Sequence, residues 1–224
     1  HTRLLTQSRG LGDVYKRQLP ATSSPVAAEE EGIEELIGLA ADAELSALSQ
    51  ELDQRLARDG MRAFVLGTFA PLVRTVGERW AGGRLEIYQE HLLTRHLVGF
   101  MDVAMNRLGR PRGRPSVVLA TLPGEPHSLG LLMVEALLWC ADTTTLNLGA
   151  EVPMDQITAA AVRQGVDTVA VSFSACYPRG AVRAHIKELA ERLPPGVTVW
   201  VGGEGAHRLR RLPRSVVEKS LHSL

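Results

Sequence analysis

The sequence predicts an α/β protein in two parts, a four-helix bundle followed by a doubly wound parallel sheet. Three observations carry this. Between Glu30 and Leu108 the apolar residues recur at helical spacing, with Pro71 as the single proline. The basic Pro/Gly segment "GRPRGRP" (109–115) then breaks the pattern. Beyond it, short apolar runs alternate with helical stretches at the spacing of βαβ units.

Ile33, Leu36, Ile37 and Ala40 form the stripe of a first helix. Leu45, Leu48, Leu52 and Leu56 mark a second, closed by Asp59-Gly60. "MRAFVLGTFAPLVRTVGERW" (61–80) is a third, with a kink expected at Pro71. "AGGR" turns the chain, and Leu85 to Leu108 make the fourth. Loops this short place the helices antiparallel.

After the linker, "SVVLATL" (116–122) has the unbroken apolar character of a buried parallel strand. A helix at about 127–141 follows, then the run "TTLNLG" (144–149) and the helix "MDQITAAAVRQG" (154–165). The strand "DTVAVSFS" (167–174), the helix "AVRAHIKELAERL" (181–193) and the strand "TVWVGG" (198–203) complete the alternation. The segment "RSVVEKSLHSL" (214–224) is apolar-periodic and reads as the start of a last helix. At the other end, residues 1–18 have no regular period, and "GDVYKRQ" resembles a translated adapter tail. Residues 1–29 are therefore expected to be leader and linker, 30–110 the bundle and 115–224 the sheet domain.

Lys plus Arg and Asp plus Glu are 25 each, so no global field draws the 224-residue chain to nucleic acid or an anionic membrane. Two cysteines, Cys140 and Cys176, give neither a disulfide framework nor a thiolate zinc site. No apolar run approaches the roughly 18–20 residues of a membrane span. No signal peptide is visible, so a cytoplasmic location is expected. His96, His185 and the basic cluster "RLRRLPR" (208–214) read as surface, and Cys140 as buried packing.

In doubly wound sheets, ligands sit beyond the carboxyl ends of the strands. Two features fall there: the loop "GEPHSLG" (124–130) after the first strand and "GGEG" (202–205) after the fourth. Glu125, two residues before His127, can accept one ring N–H, fix the tautomer and strengthen the imidazole as a ligand. Gly130 would let a bulky partner come near the helix. From these residues alone, helix capping explains Glu125 and His127 equally well.

"EPHSLG" (125–130) resembles the DxHxxG signature of cobalamin-binding domains, with Glu125 in the aspartate position. That family carries an SxL motif on its third strand and a Gly pair after its fourth. Ser172 matches the serine, Ser174 departs from the leucine, and Gly202-Gly203 matches the pair. The resemblance implies a Rossmann-like domain in which His127 ligates cobalt from below. It implies further that the nucleotide tail threads past Ser172 and Ser174 toward Gly202 and Gly203. A helical bundle ahead of such a domain is shared by corrinoid carriers of methyl transfer and by light-sensing regulators of the CarH/LitR type.

The regulators add a bundle signature, Trp followed nine residues later by Glu-His. Here Trp80 precedes "AGGRLEIYQ" and Glu90-His91. On their own, Trp80 reads as core and Glu90 as an exposed helix residue. With "EPHSLG" downstream, the paired reading prevails: an aromatic wall and a carboxylate acceptor above the corrin, suited to an adenosyl group. The resemblance thus implies a non-enzymatic sensor part that binds adenosylcobalamin, responds to light and forms a homo-oligomer. It implies DNA contact only through a helix-turn-helix domain that this sequence lacks. The alternative is a corrinoid carrier of a methyltransferase system.

Overall fold

A computed structural model describes residues 25–207, 209 and 212–224. The expected leader at 1–18, most of the linker and residues 208, 210 and 211 of the basic cluster lie outside the described residues. The helices of the first part are α1 (Pro25–Ala41), α2 (Leu45–Phe64), α3 (Ala70–Ala81) and α4 (Ile87–Leu108). Helix α1 begins at Pro25, five residues before the expected start of the bundle, so part of the expected linker is helical.

Gly60 interrupts α2 with φ 75° and ψ 161°, as the Asp59-Gly60 break predicts, but the helix resumes at once. The disturbance at Pro71 takes the form of a π-helical turn, Val65–Phe69, immediately before α3. A π turn shifts the hydrogen-bond register ahead of a residue that has no N–H to donate. Leu36, Ile37, Leu48, Leu52, Phe64, Phe69, Leu93 and Met101 fill the bundle core, each at 2% exposure or less.

The second part is a five-stranded, wholly parallel sheet in the order β2-β1-β3-β4-β5. Its elements are β1 (Gly113–Ala120), α5 (Leu129–Cys140), β2 (Thr143–Asn147), α6 (Met154–Gln164), β3 (Thr168–Ser172), α7 (Arg179–Arg192), β4 (Thr198–Gly202) and β5 (Val216–Glu218). The chain reverses its winding between β1 and β3, which opens a crevice at their carboxyl ends. Asp167 anchors that pair at the other end, accepting the Ser116 N–H at 2.7 Å and an Arg114 N–H at 2.7 Å. Those contacts, the Ser116 N–H first, hold the Asp167 carboxyl below its ordinary range.

Helix α5 explains how the two parts join. Leu132, Met133, Ala136 and Leu137 enter the bundle core, while Leu131 and Leu138 pack on the sheet with Val117, Leu119 and Ala170. A helix covered on both sides has to be largely apolar, and in LGLLMVEALLWC the one charged residue, Glu135, is buried and accepts from Thr145 and Asn147.

The expected last helix is a correction. Val216 to Glu218 instead pair with Val199 to Val201 as β5, and a 3-10 turn follows at Leu221–Ser223. The apolar spacing of this segment suits a helix, but adjacent β-branched valines beside an open strand edge favour the ladder. Among the described residues no helix is long and apolar enough to cross a membrane.

Candidate functional site

The loop from β1 to α5 carries the predicted pair at the crevice. Glu125 is 1% exposed, an uncommon burial for a carboxylate, and both its oxygens are engaged. Oε1 faces His127 Nδ1 at 2.6 Å and accepts the His127 backbone N–H at 3.2 Å. Oε2 accepts the Ser174 backbone N–H at 2.6 Å, which ties the loop after β1 to the loop after β3. With the carboxylate ionised, Nδ1 is the protonated ring nitrogen, and Nε2 is left as the lone-pair donor. The His127 side chain is 49% exposed, so Nε2 is within reach of a ligand. His127 stands two residues ahead of α5, on the loop and not in the first helical turn.

Thr121 locks the same turn from beneath. Its buried hydroxyl donates to the Glu125 carbonyl and accepts the Glu151 N–H at 2.9 Å. Tyr177, 4% exposed, donates its hydroxyl to the Pro123 carbonyl at 3.3 Å. Burial and, secondarily, the Glu125 charge push the Tyr177 phenol above its ordinary pKa. Neither residue carries a local sequence signal, because each meets the turn through the fold.

A cavity of about 460 Å³ opens beside this loop. Its walls come from Leu119, Gly130, Ala170, Ser172, Trp200, Gly202 and Gly203, and the bundle contributes Leu66, Ala70 and Arg74. A Cβ on Gly130 would stand 3.0 Å from Ser172 Oγ, narrowing the passage where helix and strand meet. Gly203 has φ 86°, and a Cβ there would come 2.2 Å from the Phe173 carbonyl oxygen. This glycine therefore brings two loops of the protein together, a role beyond the predicted close approach of a ligand. Ser174 is not among the lining residues; its hydroxyl accepts the Cys176 N–H at 3.3 Å.

The bundle residues are arranged differently. Trp80 lies in the last turn of α3 and is 41% exposed. Glu90, in the first turn of α4, accepts the Thr94 hydroxyl at 2.7 Å and lies 3.4 Å from His91 Nδ1. The His91 side chain is 75% exposed. Ile87 and Tyr88 beside them are exposed as well, at 65% and 67%. None of Trp80, Glu90 and His91 lines the cavity. A second cavity, about 470 Å³ between α2 and α4, contains none of the predicted site residues.

The structure thus gathers Gly130, Ser172, Gly202 and Gly203 on one cavity and Glu125, His127 and Ser174 in one hydrogen-bonded cluster. Two other expectations are corrected. His96 and His185, expected at the surface, are half-buried and bonded, to Ser49 Oγ at 2.9 Å and Tyr177 Oη at 2.8 Å. Cys140, expected to be buried, is exposed.

Comparison with known proteins bears on both parts. Residues 115–214 match the B12 binding domain family, and residues 26–105 match a second family also described as a B12 binding domain. The HTH-type transcriptional repressor CarH of Myxococcus xanthus is 35% identical over 164 residues, covering 71% of this chain and 53% of the repressor. Methionine synthase of Mycobacterium tuberculosis is 24% identical over 215 residues, covering 88% of this chain and 17% of the enzyme. The chain therefore spans about half the length of the repressor and a small part of the enzyme. The monomethylamine corrinoid protein of Methanosarcina barkeri shares the fold, with a TM-score of 0.65 at 14% identity over 87% of this chain and 96% of that one.

Proposed function

The chain belongs to the B12-binding domain proteins, and from that premise we propose that it is the adenosylcobalamin-binding sensor part of a light-responsive regulator of the CarH type. The observation that carries the reading is the Glu125–His127 pair, a buried carboxylate that presents one imidazole nitrogen at the sheet's crevice beside a glycine-lined cavity.

The residues present fit the cofactor. Among the described residues, no group of three His, Cys, Asp or Glu side chains could hold a metal ion. A metal at His127 would have to bring its remaining ligands with it, as cobalt does in a corrin. The carboxylate behind the ring fixes its tautomer and orientation. The cavity past Gly130 and Ser172 would take the nucleotide tail, ending at Gly202 and Gly203. Bound cobalamin supplies a cobalt–carbon bond that light breaks and an upper group that differs between its forms.

Trp80, Glu90 and His91 would contact that upper group: the indole as an apolar wall, Glu90 as acceptor for hydroxyls or an amine. The exposure of Trp80 and His91 suits residues that gain their partners only when ligand is bound. A ligand can shift a conformational equilibrium only through differential contacts with the two states, and the bundle is where such contacts would differ. The assembly that responds would be a homo-oligomer. Contact with DNA would belong to sequence beyond the segment matched to the repressor.

The test is the absorption spectrum of the protein with adenosylcobalamin, in darkness and after green light. The wild type should show an imidazole-ligated spectrum that changes on illumination together with oligomer size. His127→Ala should lose the imidazole-ligated form, and an unchanged spectrum in that variant would overturn the cobalt assignment. Stable binding with no light-dependent change in size would favour a corrinoid carrier instead.

A further inference from the structure

The loop after β3 grips the turn that carries His127 at two points, and Ser174 is one of them. At the other, Tyr177 reaches 3.3 Å to the Pro123 carbonyl, four residues before His127, and 2.8 Å to His185 Nδ1 on α7. Its ring packs tilted against Phe173, with centroids 4.9 Å apart, and lies 3.8 Å from where a Cβ of Gly124 would stand. A phenol has one proton to donate. Both contacts can be hydrogen bonds at once only if His185 donates from Nδ1 and Tyr177 passes its own proton to Pro123.

We infer that Tyr177, oriented by His185, is a positioning residue that clamps the 123–127 turn so that the His127 imidazole stays aligned for axial ligation. This rests on the cobalamin reading above. Glu125 fixes the tautomer and tilt of the ring; the Tyr177 clamp fixes the backbone from which both side chains project. A chain of hydrogen bonds from α7 to the turn would thereby couple ligand strength to a helix that does not touch the cofactor site directly.

The experiment uses the full chain and aquocobinamide, which has no base of its own, so any axial nitrogen must come from the protein. Tyr177→Phe keeps the ring packing on Phe173 and removes only the hydroxyl. It should bind cobinamide but lower the His127-ligated fraction, read from the absorption spectrum and from nitrogen splitting in the electron paramagnetic resonance of the reduced cobalt. One lost hydrogen bond corresponds to roughly a three- to tenfold fall in the ligation constant. His185→Ala should act in the same direction, and the double variant should add little to Tyr177→Phe. If the wild type shows no axial nitrogen, the cobalamin reading itself fails. If the wild type is ligated and Tyr177→Phe is ligated equally, the clamp is wrong. A Tyr177→Phe spectrum that changes only in step with a fall in melting temperature would also overturn it, by assigning the hydroxyl to general stability.

Discussion

On the sheet side of the candidate site, each group is held by another element. Glu125 is buried and bonded to His127 and to the loop after β3, Gly203 seats against Phe173, and Thr121 pins the turn from below. On the bundle side, Trp80, Ile87, Tyr88 and His91 are exposed, and Glu90 bonds within its own helix and lies 3.4 Å from its neighbour His91. The sheet side is therefore organised before ligand arrives, which lowers the ordering cost of binding there. The bundle side has few native contacts to lose, so a ligand can reorganise it cheaply. The proposed sensor would use both properties: one half that holds and one half that changes.

The largest expected effect lies on the sheet side. Gly203→Ala forces a side chain into φ 86° with its Cβ against the Phe173 carbonyl, which also accepts the Gly205 N–H. The backbone strain and the broken contact should cost about 3 kcal/mol or more in denaturant unfolding. A loss below about 1 kcal/mol would show that the glycine-held loops are less rigid than this contrast requires.

A matched pair of substitutions comes next. Glu125→Ala leaves the Ser174 N–H without its acceptor and should cost about 1–3 kcal/mol. Trp80→Ala, at an exposed helix end, should cost about 1 kcal/mol or less. Under cobalamin titration the order changes in kind. Glu125→Ala should weaken both adenosyl- and methylcobalamin, whereas Trp80→Ala should erase the preference for the adenosyl form. Equal preference before and after Trp80→Ala would remove the bundle residue from the site.

How much of this was legible in the sequence follows the same division. The helical stripes, the Gly60 break and the strand–helix alternation are local patterns, and the fold preserves them. The Glu125–His127 contact was legible because both residues sit on one short turn. The second bond of Glu125, to Ser174, was not, since it depends on β1 and β3 lying side by side. Tyr177, Thr121 and the bundle wall of the cavity escaped for the same reason. The last segment was misread because its valines fit two periods, and only the open edge of β4 decides between them. The contact Trp80 and Glu90 would make is with a bound molecule and not with the protein, so no neighbouring residue of the chain marks it.

The smallest effect belongs to the bundle and bears on its readiness to move. His96 on α4 accepts or donates to Ser49 on α2 at 2.9 Å, and burial holds its imidazole below the ordinary value of 6.5. Burial disfavours the charged ring, so the unfolded chain takes up the proton more readily than the fold does. Stability is then full above the unfolded pKa near 6.5 and falls as pH drops through that value toward the lower folded one. The Asp53–Arg107 ion pair lines the same α2–α4 cavity. The denaturant midpoint should therefore be lower at pH 5.5 than at pH 7.5, and His96→Gln should narrow that difference. A difference that persists in full in the variant would assign the acid sensitivity to other groups. It would also leave the α2–α4 contact as firmly set as the sheet, against the division of labour argued for the two halves.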